Sequence, residues 1–328
     1  TSKDLTWEEA KQAMRLMIEG TATPAQIGAF LTAMRFKSES VTELAAFTAT
    51  ARQYVPPVPV RSGLGVVDVP VYAGKRETFH AILPAAIVAA AAGAVLLLHG
   101  VDGPPDRLGI SSVLKLLGIP VDMTAKSVGA ELEKKGFAYL DLALYHPPVS
   151  RFLEMRQELG VRNFFHPVAR MLNPARATSQ VIGLSHPPYF EKTIRGVEGD
   201  PELSIGNSTR LLELKDERIT PFTFQPKDAG LSMATFREMA GFPVEQRERE
   251  ADLIKRLLAN EIQGGQRDWV LLNAAMLLYA AGKGTSITGN LGAARSALES
   301  GQAKAKLAEL VAVAGSSAGN APKVGISA

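Results

Sequence analysis

Over the first fifty or so residues the apolar positions recur at helical spacing: Ala10, Met14 and Met17, then Ile27, Phe30, Leu31 and Met34. Each repeat has its own start signal. Thr6 with Glu9 makes a capping box for a helix over 7–19, Thr23 with Pro24 and Gln26 starts one over 24–36, and Ser40 with Glu43 starts a third over 41–54. The Met and Phe stripe reads as packing. Pro56, Pro57 and Pro59 stop the helical period and predict a hinge. Beyond it the period changes. Strand-like runs at 66–72 and 95–99 alternate with Ala- and Leu-rich helical runs at 83–92 and 111–117, with Gly93 and Gly118 at the C-cap positions. Two βα units in succession predict a parallel sheet with right-handed crossovers.

The pattern then predicts a helix at 127–135, a strand at 138–142 and an arginine-dense helical stretch with proline and glycine breaks over 145–176. Strands at 180–185 and 209–214 follow, with helices at 252–258, 269–281 and about 291–313 and a small, polar tail at 314–328. The expected class is α/β: a small all-α domain (1–58 plus about 145–176) and a large α/β domain with a parallel-rich sheet (about 60–144 plus 177–313).

Composition narrows the function classes. With 328 residues, 46% hydrophobic and 21% charged, the chain is long enough for two cores and ordinary for a water-soluble protein. The apolar run 81–98 approaches membrane-span length, but Pro84 and Gly93 split it, and it reads as buried helix then buried strand. The opening TSKDLTWEEA is too polar for a signal peptide, and a cytoplasmic location is expected. Without cysteine there is no disulfide, thiolate nucleophile or Cys-ligated metal. A net charge of +3 permits an anionic partner without requiring one.

In parallel sheets, ligands sit beyond the carboxyl ends of the strands, so the loops 73–79 (AGKRETF) and 100–109 (GVDGPPDRLG) are the first candidates. They carry Lys75, Arg76 and Arg107 but lack a glycine-rich phosphate cradle. His99, His146, His166 and His186 lack metal-ligand spacing and read as packed or capped histidines. Ser185-His186 has no nucleophile elbow, and the Gly-Lys-Gly-Thr-Ser run at 282–286 reads as a helix stop.

The order of elements, with ATPAQIGAFLTAMRFKSES (22–40), VAAAAGAVLLLHG (88–100), VLKLLGIPVD (113–122), RQELGVRN (156–163) and NPAR (173–176), resembles the family-3 glycosyltransferases typified by anthranilate phosphoribosyltransferase. The resemblance implies a small helical domain, a large α/β domain and a homodimer formed through the small domain. It also implies a GTGGD loop for pyrophosphate, a second phosphate loop KHGNRSVSSKSGS and a magnesium-binding Asp-Glu pair. At those places this chain reads Pro70-Val71-Tyr72-Ala73-Gly74, then LHGVDGPPDRLGI (98–110), then Pro201-Glu202 with Asp200 beside it. Proline offers no N–H to an oxyanion, Asp102 and Asp106 oppose phosphate, and one metal-binding carboxylate is missing. Arg162 matches the arginine that contacts the anthranilate carboxylate, and His99, Gly100 and Asn173 are retained as cleft-lining positions.

The runs VPVYAGKR, LLHGV and GVRNFFHPVARM are more similar to the YbiB-type relatives, which share the fold and dimer and are implied to bind nucleic acid. Two readings therefore stand. In the first, Lys75, Arg76, Arg107, Arg162, Arg170 and Arg176 contact nucleic-acid phosphates without sequence preference, no cofactor is needed, and Tyr72, Phe164 and Phe165 offer limited base stacking. Arg151 and Arg156 belong to the same basic set, with Asp106, Glu154 and Glu158 as competing internal partners. In the second, the chain is a phosphoribosyl or glycosyl transferase with altered phosphate loops, using phosphoribosyl pyrophosphate and Mg2+ held by Glu202 with Asp200 and Glu198. The chain between Phe190 and Gly196 is also shorter than the family's helix and strand require.

Overall fold

The computed structural model describes residues 3–72, 74–183, 201–231 and 233–311. Helices α1 (Trp7–Ile18), α2 (Pro24–Lys37) and α3 (Val41–Ala51) open the chain, and Thr6–Glu9, Thr23–Gln26 and Ser40–Glu43 all form reciprocal capping boxes. The third helix is shorter than its sequence period because the last turn tightens into a 3-10 helix at Arg52–Tyr54 before the prolines.

Strand β1 (Val66–Pro70), helix α4 (Ile82–Ala91), strand β2 (Val95–Gly100), helix α5 (Ile110–Leu117), helix α6 (Ala125–Lys135) and strand β3 (Phe137–Asp141) follow. Helices α7 (Leu142–Tyr145), α8 (Pro147–Leu159) and α9 (Phe165–Arg170) form the helical return, which leads to the short strand β4 (Ser179–Gln180). The main sheet runs β3-β2-β1-β4, and every pairing in it is parallel.

A separate antiparallel hairpin joins β5 (Thr209–Lys215) to β6 (Arg218–Phe224). The second of these strands is the one the sequence pattern passes over, because its face is exposed and its polar residues do not alternate with a buried set. Helices α10 (Phe236–Met239), α11 (Arg247–Leu258), α12 (Gly265–Ala280), α13 (Leu291–Glu299) and α14 (Gln302–Val311) complete the described chain. The single C-terminal helix expected from sequence is two, broken at Gly301, whose φ of 80° belongs to the left-handed region. The 282–286 run does follow a helix end, with Gly282 at φ 68° after α12. Of the expected strand 180–185, only Gln180 is strand and 181–183 are irregular; its last two positions, 184 and Ser185, together with His186, the 190–196 connection and the tail 314–328, lie outside the described residues.

The sheet has two differently employed faces. Val67, Val69, Leu96, Leu98, Phe137 and Tyr139 face the core built from α4, α5 and α11–α14. Val66, Leu97, Ala138 and Leu140 face a second core shared with α1–α3 and with α8 and α9. In that second core Phe47 stacks on Phe164 at 4.2 Å and Phe164 on Phe165 at 4.7 Å. Alternation along the strands puts Asp68 and His99 on this face too, since Asp68 pairs with Leu97 and Pro70 with His99.

At the end of β2 a side chain is sterically forbidden. A Cβ on Gly100 would lie 2.1 Å from the Val71 carbonyl oxygen. Gly100→Ala is expected to cost about 1–3 kcal/mol through backbone displacement, read as a lower midpoint in urea unfolding with an unchanged slope.

Candidate functional site

The loops after β1 and β2 are laced together. Lys75 and Leu108 exchange both backbone hydrogen bonds at 2.8 Å, and Arg107 Nη1 donates to the Gly74 carbonyl at 3.2 Å. The three places where the family resemblance implies ligand anchoring lie here, and at each the chain's own groups take the contacts.

At the first loop Tyr72 turns inward. Its hydroxyl lies 2.8 Å from His99 Nδ1 and 2.9 Å from the Tyr145 hydroxyl, which is itself 2.9 Å from His99 Nδ1. His99 Nε2 lies 3.1 Å from Asp68 Oδ2. A carboxylate can only accept, so Nε2 donates and Nδ1 accepts from a tyrosine. Asp68 and His99 are fully buried, and burial drives both tyrosine hydroxyls well above the usual phenol range. This network fixes the loop in place; the histidine is its hub and not a metal ligand.

At the second loop Asp102 occupies the amino end of α5. Its Oδ1 accepts from Ser111 N at 2.9 Å and its Oδ2 from Ser112 N at 3.1 Å. Free helix amides at such an end attract an anion, and here the anion is the chain's own carboxylate.

At the metal position Glu202 is buried with its side chain fully inaccessible, accepting from Ile82 N at 2.9 Å and lying 2.7 Å from Lys75 Nζ. Lys75 Nζ also reaches Thr78 Oγ1 at 3.3 Å and sits 5.7 Å from the Trp269 ring centre. Asp200 and Glu198 lie outside the described residues, Pro201 supplies no ligand, and no group of three His, Asp or Glu among the described residues could hold a metal ion. The residues described here do not fit a divalent cation: the one carboxylate is already neutralised by an ammonium.

The sequence-selected cations therefore divide. Lys75 is not a cleft contact, because it is 2% exposed and engaged with Glu202. Arg76 is exposed and lies 3.5 Å from Asp106, a pair that solvent screening leaves weak. Arg176 is exposed on a left-handed residue and lines a pocket of about 300 Å³ with Arg52, Gln53, Val55, Pro57, Leu172, Asn173 and Pro174; neither Arg107, Arg162 nor Arg170 lines it. Asn173 closes its own turn, donating to Ala177 O at 2.9 Å and accepting from Ala177 N at 2.7 Å, so its amide is committed to the backbone.

Arg107 and Arg170, with Arg156 and Arg35, all lie within electrostatic range of Arg162. Burial first, and then the fields of Arg156, Arg170, Arg107 and Arg35, bring the Arg162 guanidinium down to about 10. Arg170 is mostly buried, with its guanidinium 5.9 Å from the Tyr72 ring centre and Nη1 donating to His166 O at 3.0 Å. Arg35, exposed on α2, is the residue that sequence reasoning missed; it gives no local signal. The expected stacking aromatics are absent from the surface. Phe164 and Phe165 are fully buried and Tyr72 nearly so, because the paired phenylalanines insert into the helical core.

Comparison with known proteins gives this geometry its lineage. The model of the glycosyl transferase family a/b domain matches residues 73–304, and that of the family's helical bundle domain matches residues 1–55. The chain belongs to the glycosyl transferase family. It is 34% identical over 326 residues to an anthranilate phosphoribosyltransferase of Leptothrix cholodnii, covering 95% of this chain and 93% of that protein. It is 33% identical to the Haloferax volcanii enzyme of the same name, covering 92% of this chain and 94% of that protein. The crystal structure of anthranilate phosphoribosyltransferase from Thermus thermophilus superposes with a TM-score of 0.85 at 29% identity, covering 95% of this chain and 96% of that one. The Saccharomyces cerevisiae enzyme in complex with PRPP and Mg shares the fold, with a TM-score of 0.79 at 18% identity over 94% of this chain and 93% of that one. Among the described residues, no helix is long and apolar enough to cross a membrane.

The arginine cluster also fixes the charge of His166. Burial first, then Arg170, with Arg162 and Arg156 adding to it, depresses its pKa from 6.5 to about 3, while Nδ1 lies 3.1 Å from the Asn163 carbonyl. Below about pH 6.5 the unfolded chain takes up a proton that the folded chain refuses, so this group's contribution falls as pH drops toward 3. The slope is at most ~1.4 kcal/mol per pH unit, and less because the ring is partly solvent-exposed. His166→Gln is expected to flatten the acid limb of the stability profile between these limits while leaving stability at pH 8 little changed, as measured by urea melts across pH.

Proposed function

We propose that the cleft between the helical core and the sheet is an electropositive groove that binds nucleic-acid phosphates without reading sequence. The observation that carries this reading is that Arg35, Arg107, Arg156 and Arg170, from separate segments, lie close enough to Arg162 for their charges to act on its guanidinium. Like charges held together cost folding stability, and a polyanion that enters relieves that cost while releasing counterions. The buried aromatics support backbone contact over base stacking, so single and double strands are bound comparably. Arg76 extends the rim; Lys75 takes no part. Phe36, 84% exposed, and Val41, 65% exposed, leave apolar side chains to solvent on the helical bundle, which supports assembly as a homodimer with one groove per protomer.

Fluorescence anisotropy with labelled single- and double-stranded DNA tests the groove. Arg107→Ala and Arg162→Ala are each expected to weaken binding uniformly across sequences and to lower the slope of log K against log salt by about 1. Absence of binding at low salt overturns the reading.

A second reading, phosphoribosyl transfer, is favoured by a specific observation: relatives identical at a third of positions over nearly the whole chain carry the name anthranilate phosphoribosyltransferase. Arg162, at the position matching the acceptor-carboxylate contact, supports it. Against it stand Pro70 and Tyr72 in the first loop, Asp102 on the α5 amides and Lys75 on Glu202. Supplying anthranilate, phosphoribosyl pyrophosphate and magnesium and following loss of anthranilate fluorescence decides it. Turnover would establish the transferase; none is expected.

A further inference from the structure

Glu202 is held more rigidly than a ligand-gathering loop residue. Its neighbour Leu203 donates to Asn273 Oδ1 at 2.7 Å and accepts from Trp269 Nε1 at 2.7 Å and from Asn273 Nδ2 at 3.1 Å. Both partners lie on the buried helix α12, so the segment is fixed to the core next to Lys75, whose ammonium sits 5.7 Å from the Trp269 ring centre. The Glu202 carboxylate takes the amino-terminal amide of Ile82 and the ammonium of Lys75, with both charged side chains essentially inaccessible. Lys75 is fixed in its turn: its backbone is bridged to Leu108 and its ammonium is shared with Thr78. A buried carboxylate needs a positive partner, and one already in place at hydrogen-bond distance leaves no uncompensated charge on Glu202 itself to recruit an ion.

We propose that Lys75 is a resident counter-ion for Glu202, standing in the charge-neutralising place that a divalent cation would take there, and that this chain's cleft is consequently assembled without divalent metal. The inference concerns the free protein and does not depend on what the groove binds. The same side chain that fails as a surface phosphate contact thereby acquires a role.

Thermal unfolding of the full chain in millimolar magnesium chloride and in EDTA tests this, with tryptophan emission followed in parallel because Trp269 lies beside the Lys75 ammonium. A ligand that binds only the folded state must raise the melting temperature. The expected result is identical melting temperatures and emission in the two buffers. Lys75→Met, which strands the carboxylate, is expected to lower the melting temperature by on the order of 10 °C. Lys75→Met combined with Glu202→Gln is expected to recover most of that loss. A saturable rise of the wild-type melting temperature with magnesium overturns the proposal, and so does a Lys75→Met variant as stable as the wild type. If Lys75→Met does not fold at all, the double variant decides: a folded, magnesium-insensitive protein supports the resident counter-ion, and a double variant that also fails to fold refutes it.

Discussion

Beyond the carboxyl ends of β1 and β2 the fold gathers backbone amides, a helix terminus and buried ionisable groups into one small volume, and none of them can be left unsatisfied away from water. In this chain most of that requirement is met internally, Asp68 Oδ1 being an exception. Asp68 is held by His99 and Gln180, Asp102 covers the first amides of α5, and Lys75 neutralises Glu202. Because these partners are already in place, the loops close on each other through the Lys75–Leu108 bridge.

The consequence for function is a shift of positive charge. The Lys75 ammonium nearest the strand ends is committed to Glu202, and the cations grouped into one field lie mainly on the helical return and on α2, around Arg162. The chain keeps the fold of relatives named phosphoribosyltransferases, and a shared fold does not by itself settle what the cleft binds. One small phosphorylated substrate needs converging amides in fixed geometry, whereas a phosphate backbone needs only a continuous field.

Much of the candidate site was legible along the chain. Arg107, Arg162 and Arg170 announced themselves by density in loop and helical-return segments, and the proline and tyrosine of the first loop signalled the lost cradle without any coordinates. Asp102 was recognisable as hostile to phosphate, but its role as the cap of α5 needed the loop path, since nine residues separate it from Ser111. Phe164 and Phe165 were misjudged as cleft aromatics because adjacency to arginines says nothing about which way a helix start is rotated against its core.

By itself the sequence determined the architecture. Period-2 and period-3.6 apolar patterns, three capping boxes and glycine stops are local, and their physics acts within a few residues, so the helical bundle, the proline hinge and the parallel βα units could be placed from them. Which charge meets which was decided only by tertiary structure. Lys75 and Glu202 are 127 residues apart, and Arg35 reaches the Arg162 field only because α2 packs against α8. Electrostatic pairing depends on separation in space and on burial, and neither quantity is written in the order of residues along a chain.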